Sequence, residues 1–310
     1  MTKPSASSLP RPAELPPTSL WGTAWRQLRR NKLAASCLWI IVFYSVVALY
    51  AEGIYWNARL KQTTPSYKTV AFESRFAVPS AKHPLGTDSL GRDVFLQVVQ
   101  GTRIAFEVGI LTSLIAIPIA VVLGALAGYF GGWVDDWIVW LYTVFDSIPY
   151  LLFILAIAMV VGKGLLGVCL GIGLTTWVGL CRLIRGEYLK HRDRQYVLAA
   201  KSLGAGSFSI IFRHILPNVL HLVIISFSLR FPGAILTEVV LSYLGVGVQG
   251  EPSWGIMISD AKIRLWQGHW YELGGATIAM FFIVLAFNLF GDALRDALDP
   301  KLRTAEVKTA

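Results

Sequence analysis

The chain has 310 residues, of which 55% are hydrophobic and only 15% charged, with a formal net charge of +9. Soluble domains carry about 25% charged residues, so this composition excludes an ordinary soluble protein and predicts an all-α integral membrane fold. The positive charge does not mark a nucleic-acid binder, because no basic run is interleaved with exposed aromatics.

In chain order, residues 1–32 open with a Pro- and Ser-rich stretch and end in a basic cluster, which reads as a disordered tail. The apolar run that follows is too long for a signal core and lacks a small-x-small exit, so it is expected to stay as an anchor. Six runs approach the roughly 20 apolar residues of a crossing: 33–50, 108–129, 137–161, 165–181, 219–241 and 274–290. Six spans are predicted, with five as the main alternative because 137–161 contains Asp146 and Pro149. The expected organisation is a tail (1–32), an anchor (33–50), an extracytoplasmic loop (51–103), a core (104–295) holding a polar loop at 182–218, and a second tail (296–310). Tyr50, Tyr55 and Trp56 suit an interfacial belt, and Pro118 and Pro149 suit kinks.

Orientation follows from Lys and Arg near the span ends. Arg26, Arg29, Arg30 and Lys32 crowd the first span. The 182–218 loop adds Arg182, Arg185, Lys190, Arg192, Arg194, Lys201 and Arg213, and the end of the chain adds Arg295, Lys301, Arg303 and Lys308. With six spans these segments share one face, which is then cytoplasmic together with both termini. Gly124/Gly128 and Gly167/Gly171 are Gly-xxx-Gly pairs that let helices approach closely in lipid. Cys37, Cys169 and Cys181 fall in or at spans and read as packing residues. No two of the five histidines have zinc-site spacing, and there is neither a G-x-S-x-G nor a phosphate-binding loop. No metal and no catalytic residue is therefore predicted, and the chain cannot hydrolyse ATP by itself on a phosphate-binding loop.

The most informative segment is 196–218, YVLAAKSLGAGSFSIIFRHILPN. Ala199 and Ala200 favour a smooth-faced helix, Gly204 suits a left-handed closure, Ser207 suits an N-cap, and Pro217 suits a helix boundary. Two readings fit this pattern: a docking element for another protein, or an amphipathic connection on the bilayer surface. The segment resembles the cytoplasmic loop of ABC-importer permeases, whose general form is Glu-Ala-Ala, three residues, Gly, and a later Leu-Pro. Residues 83–93 (HPLGTDSLGRD), 177–186 (WVGLCRLIRG), 241–249 with 252–255 (PSWG), and 291–296 with Asp299-Pro300 resemble the C-type permease subunit of oligopeptide and dipeptide importers. Leu198 stands where the general motif has Glu, and His214 where it has Ile.

The resemblance implies a bundle of about six transmembrane helices in the inner membrane, with a coupling-helix loop. It implies ATPase docking on Ala199, Ala200, Lys201, Ser202, Leu203, Gly204 and Ala205. Implied partners are a homologous second permease, two cytoplasmic ATPases that carry ATP and Mg, and an extracytoplasmic binding protein delivering short peptides or similar cargo. This chain itself is expected to bind no cofactor. An ion-coupled secondary transporter or channel is the alternative, since Asp146, Arg230 and Glu238 are intramembrane charges. A membrane enzyme or assembly scaffold is a more distant one.

Counting about 1.5 Å per residue places Arg230 roughly 20 Å and Asp146 roughly 13 Å from the same side. Three roles suit Arg230: a pair with Asp146, a contact to the sister permease, or a cavity cation meeting the cargo's carboxylate. Trp254 reads as a contact for the binding protein, as a cap on the path, or as an aromatic plug packing its loop onto the spans.

Overall fold

A computed structural model describes residues 20–298. The expectations for residues 1–19 and 299–310 lie outside the described residues. The described chain is helical, with α1 (Leu20–Arg30), α2 (Lys32–Leu60), α3 (Val94–Phe130), α4 (Gly132–Ser147), α5 (Tyr150–Val161), α6 (Leu165–Thr175), α7 (Val178–His191), α8 (Gln195–Ser202), α9 (Ser207–Ser209), α10 (Leu216–Tyr243), α11 (Trp254–Ala261) and α12 (Tyr271–Leu298). A π-helical turn, Ile210–Ile215, joins α9 to α10. Five segments are long and apolar enough to cross a bilayer: α2, α3, α6 with α7, α9 through α10, and α12.

The sixth crossing is broken. Helices α4 and α5 meet at 91°, at Ile148-Pro149, where the backbone is extended. Glycine contacts show which way the neighbouring helices run. A Cβ at Gly124 would meet the Cys181 carbonyl oxygen at 2.6 Å, and one at Gly128 would meet the Arg185 carbonyl oxygen at 2.6 Å. Farther back, a Cβ at Gly173 would meet Ile115 at 2.8 Å. Helix α3 and the α6–α7 segment therefore run parallel, and the α4–α5 pair must carry the chain back between them. The Gly124/Gly128 face lets α3 and α7 approach to backbone contact. Gly171, facing Ile154, does the same for the antiparallel α5–α6 hairpin.

Helix α4 lies across α7, pinned at both ends. Arg185 Nε and Nη2 hold Asp135 at 2.5 and 2.7 Å, and Arg182 Nη2 holds Asp146 at 2.8 Å. Its outer face exposes Trp133, Trp137 and Trp140, the signature of a helix at the membrane–water interface. The predicted straight run 137–161 is thus an interfacial helix followed by a short leg. Proline at 149 breaks it because residue 148 is steered away from helical geometry.

At the end opposite the α7–α8 turn, residues 61–93 fold back onto the bundle. Asp93 caps α3 by accepting from the Leu96 N–H, and His83 Nδ1 lies 2.8 Å from its other oxygen. The buried Asp88 accepts from Leu90 N–H, Arg92 N–H, Arg92 Nε and Gln97 Nε2. This part of the 83–93 motif is therefore turn and cap chemistry. Nearby, the buried Arg103 guanidinium is shared among Glu107 (2.7 Å), Glu251 (3.3 Å) and Glu52 (3.6 Å). It also stacks over Tyr55, 4.0 Å from the ring centre. Lys68 and Tyr67 donate to Glu251 as well. Burial, reinforced by the Glu251 carboxylate, pushes the Tyr67 phenol upward, so it stays a donor.

Candidate functional site

The polar loop forms as two helical pieces around a glycine. Val197 and Ala200 are buried on its underside, joining Ala127, Tyr188, Ile210, Ile211 and Ile215 in one apolar cluster. Ala199, Lys201, Ser202, Leu203 and Gly204 face outward and Ala205 is half-buried. Of the two alanines expected on a smooth outer face, only Ala199 is there. Helix α8 closes with the Ala205 N–H donating to the Ala200 carbonyl (3.0 Å) and the Gly204 N–H to the Lys201 carbonyl (2.9 Å). That 6→1 and 5→2 pair, with Gly204 at φ +80°, is a Schellman closure. Apart from its chain neighbours, no atom of the described residues lies within 4 Å of where a Gly204 Cβ would stand, so the surface around it is open.

Two local expectations are corrected. Gly206, not Ser207, holds the capping position. Pro217 does not end a helix: the chain stays helical from Ser207 to Tyr243. The π turn makes this possible, because the Leu216 N–H reaches back five residues to the Ile211 carbonyl, and Pro217 then occupies the first turn of α10. The same Ile211 carbonyl accepts from the buried Tyr188 hydroxyl at 3.0 Å. Two rungs of the loop are tied to its support by aromatic groups. Lys201 Nζ sits 5.4 Å from the Tyr129 ring centre, and Tyr196, its phenol pushed up by burial, pairs with His191 Nδ1 at 2.7 Å.

The outer surface of this polar, basic loop is unexpectedly apolar. Leu203 is 89% exposed and Phe208 68%, and Phe208 stacks on Phe212 at 9° between ring planes. Leu198, in the motif's Glu position, is also exposed. Sequence reading missed the aromatic pair, although its i, i+4 spacing was a usable signal.

The three intramembrane charges do not come together. Asp146 belongs to the Arg182 pair at the interface, so the Asp146–Arg230 pair does not form. The depth estimate failed because it assumed a straight helix through residue 146. Glu238 is buried, accepts from Ser242 Oγ at 2.6 Å and is hydrogen-bonded by Ser253, which ties the end of α10 to the start of α11. Arg230 is half-buried and makes no hydrogen bond or ion pair with any described residue. It lines a cavity of about 330 Å³ together with Thr112, Ser113, Tyr150, Thr176 and Thr237. A second cavity of about 290 Å³ around the α4–α5 break shares Tyr150 with the first and includes Asp146. Trp254 is the plug: its ring packs on Gly101 and its Nε1–H donates to the Val98 carbonyl at 3.1 Å. Among the described residues no cluster of His, Cys, Asp and Glu could hold a metal ion.

Residues 120–304 match the family model described as binding-protein-dependent transport system inner membrane component. Residues 19–69 match the model for the N-terminal TM domain of oligopeptide transport permease C. The chain is 38% identical to a dipeptide transport system permease protein of Bacillus subtilis, over 96% of this chain and 90% of that protein. It is 36% identical to an oligopeptide transport system permease protein of the same organism, covering 92% and 91%. A glutathione transport system permease protein of Pectobacterium atrosepticum is 34% identical, covering 92% of each. Among solved structures, inward-facing MetNI methionine ABC transporter matches in fold with a TM-score of 0.50 at 15% identity, over 65% of this chain and 94% of that one.

Proposed function

Because this chain belongs to the family of binding-protein-dependent transport inner membrane components, and is thereby the permease subunit of an ABC importer, we propose that it carries short peptides across the inner membrane. Permease subunits of this kind are not themselves catalytic, and their ATPase activity lies in separate subunits. The peptide assignment rests on the cargo named for its relatives: dipeptides, oligopeptides and glutathione.

In this reading, two cytoplasmic ATPases bind the importer, one of them on this chain's 199–205 loop, and a homologous permease completes the path. The observation that carries the docking assignment is the apolar outer rim of that loop, Leu203 and Phe208 around an open Gly204. Large apolar side chains held in water on a charged segment are characteristic of a surface that another protein covers. Leu198 makes that contact apolar where the general motif would place a carboxylate. The loop face is then cytoplasmic, and the face carrying residues 61–93 receives the loaded binding protein.

The test is uptake of a labelled dipeptide by membranes containing the assembled importer. Uptake should vanish when the phosphate-binding lysine of the partner ATPases is replaced, and should persist with a protonophore present. Uptake that survives loss of the ATPase, and collapses with the proton gradient, would instead establish ion coupling.

A further inference from the structure

Arg230 lies roughly 16 Å along α10 from Val219, near the middle of a bilayer about 30 Å thick. A guanidinium at that depth costs at least about 2.5 kcal/mol unless it meets water or an anion. No carboxylate among the described residues pairs with it: Asp146 is held by Arg182, and Glu238, two helical turns farther along, by Ser242. The cavity it faces is lined by five hydroxyl-bearing residues and by Ile172, Gly233 and Ala234, with no acidic residue among them. It shares Tyr150 with the second cavity, the one around the Ile148-Pro149 break.

The hydrogen-bond inventory specifies the missing partner. Thr112, Ser113, Thr176 and Thr237 each donate their hydroxyl proton back to their own helix, to the carbonyls of Val108, Gly109, Ile172 and Gly233. With the Thr237 proton so engaged, Tyr150 donates to the Thr237 oxygen at 2.8 Å. The hydroxyls therefore offer lone pairs to the cavity, while the open N–H donors come from Arg230. A group that fits accepts at one point and donates around it, as does a peptide C-terminus, whose carboxylate is adjacent to an amide N–H. Guanidinium pairs with carboxylate through two parallel hydrogen bonds.

We propose that Arg230 binds the C-terminal carboxylate of the cargo in transit, with the threonine oxygens accepting the adjacent peptide N–H. This assignment rests on the peptide-import reading above. It makes Arg230 a specificity-determining residue, so that the path itself, and not only the delivering protein, selects for a free acid.

Two measurements on the assembled importer test it. In the first, Ser113→Cys is labelled with an anionic sulfonate and a cationic trimethylammonium methanethiosulfonate. Adding Arg230→Gln should lower the anion-to-cation labelling ratio about tenfold, as removal of one nearby charge in a medium of intermediate dielectric requires. A ratio that does not change overturns the proposal. The second compares uptake of trialanine with that of its C-terminal amide, each at saturating loaded binding protein. Arg230→Gln should slow the free acid at least about tenfold and leave the amide within about twofold, with Arg230→Lys recovering part of the loss. Equal slowing of both cargoes would overturn the proposal and make Arg230 a structural or sister-subunit contact. Neither peptide moving through the wild-type importer, with the Arg230-dependent labelling ratio intact, would uphold the anion-binding cavity and sink the peptide reading.

Discussion

Asp146 and Arg182 form an ion pair between α4 and α7, with 2.8 Å from Nη2 to Oδ2, and this pair marks where the chain turns from the interface into the membrane. Both side chains are about half exposed, so the pair is worth no more than about 1 kcal/mol. Asp146→Asn should therefore leave the protein inserted and its thermal stability nearly unchanged. The charge swap Asp146→Arg with Arg182→Asp should retain uptake, whereas Asp146→Arg with Arg230→Asp should not. Recovery by the second swap would show that the 230 position, not 182, is the partner.

Gly204 separates two causes of failure. Among the described residues an added Cβ meets nothing, and the local penalty is a positive φ, worth about 1–2 kcal/mol for an ordinary residue and less for asparagine. Gly204→Asp and Gly204→Asn should both insert and assemble with the sister permease. Both should lose cargo-stimulated ATP hydrolysis and co-purify less ATPase. Normal uptake by either variant would remove this loop from the docking surface.

Arg103 is the keystone of a buried charge cluster, with Glu52, Glu107 and Glu251 around it and Lys68 beyond. Arg103→Leu leaves carboxylates buried without their cation, a loss of about 3–5 kcal/mol. The expected result is a large drop in melting temperature, with protease cleavage appearing first in residues 61–93. A variant as stable as the wild type would mean that the acidic groups find other partners.

Topology has a direct check. A cysteine at Ser66 should be labelled by an impermeant reagent on intact cells, and one at Arg192 only after lysis. Labelling of both from outside would mean that the α4–α5 pair enters and leaves on one side.

Much of this was legible because it is written in local chemistry. Gly124 and Gly128 announce close helix packing, and Gly204 announces a left-handed closure. The bend at 148–149 was harder, since an apolar run with a proline reads equally as a kinked span. Trp133, Trp137 and Trp140, at i, i+4 and i+7, were the available sign of an interfacial helix, and they lie partly before the run that was read as membrane-spanning. The surroundings of Arg230 were not legible at all. Residue counting along α10 gives depth but not which way a side chain faces, and apart from Thr237 on α10 itself the hydroxyls around Arg230 come from α3, α5 and the end of α6, brought to it only by packing.

The uninterrupted helix from Ser207 to Tyr243 has a mechanical consequence. Its 37 residues span about 55 Å, and the π turn keeps Phe208 and Phe212, on the apolar rim of the docking surface, continuous with the membrane-spanning part where a proline break would have made a joint. A surface on a joint would absorb a push from below; one on the helix itself passes it on. A tilt of about 10° about the loop end would carry the far end sideways by roughly 10 Å and Arg230 by roughly 6 Å. Leverage of that size would bring the cavity from one register against its neighbours to another, so the stiffness at Pro217 is what would let a small stroke outside the bilayer become a large one within it.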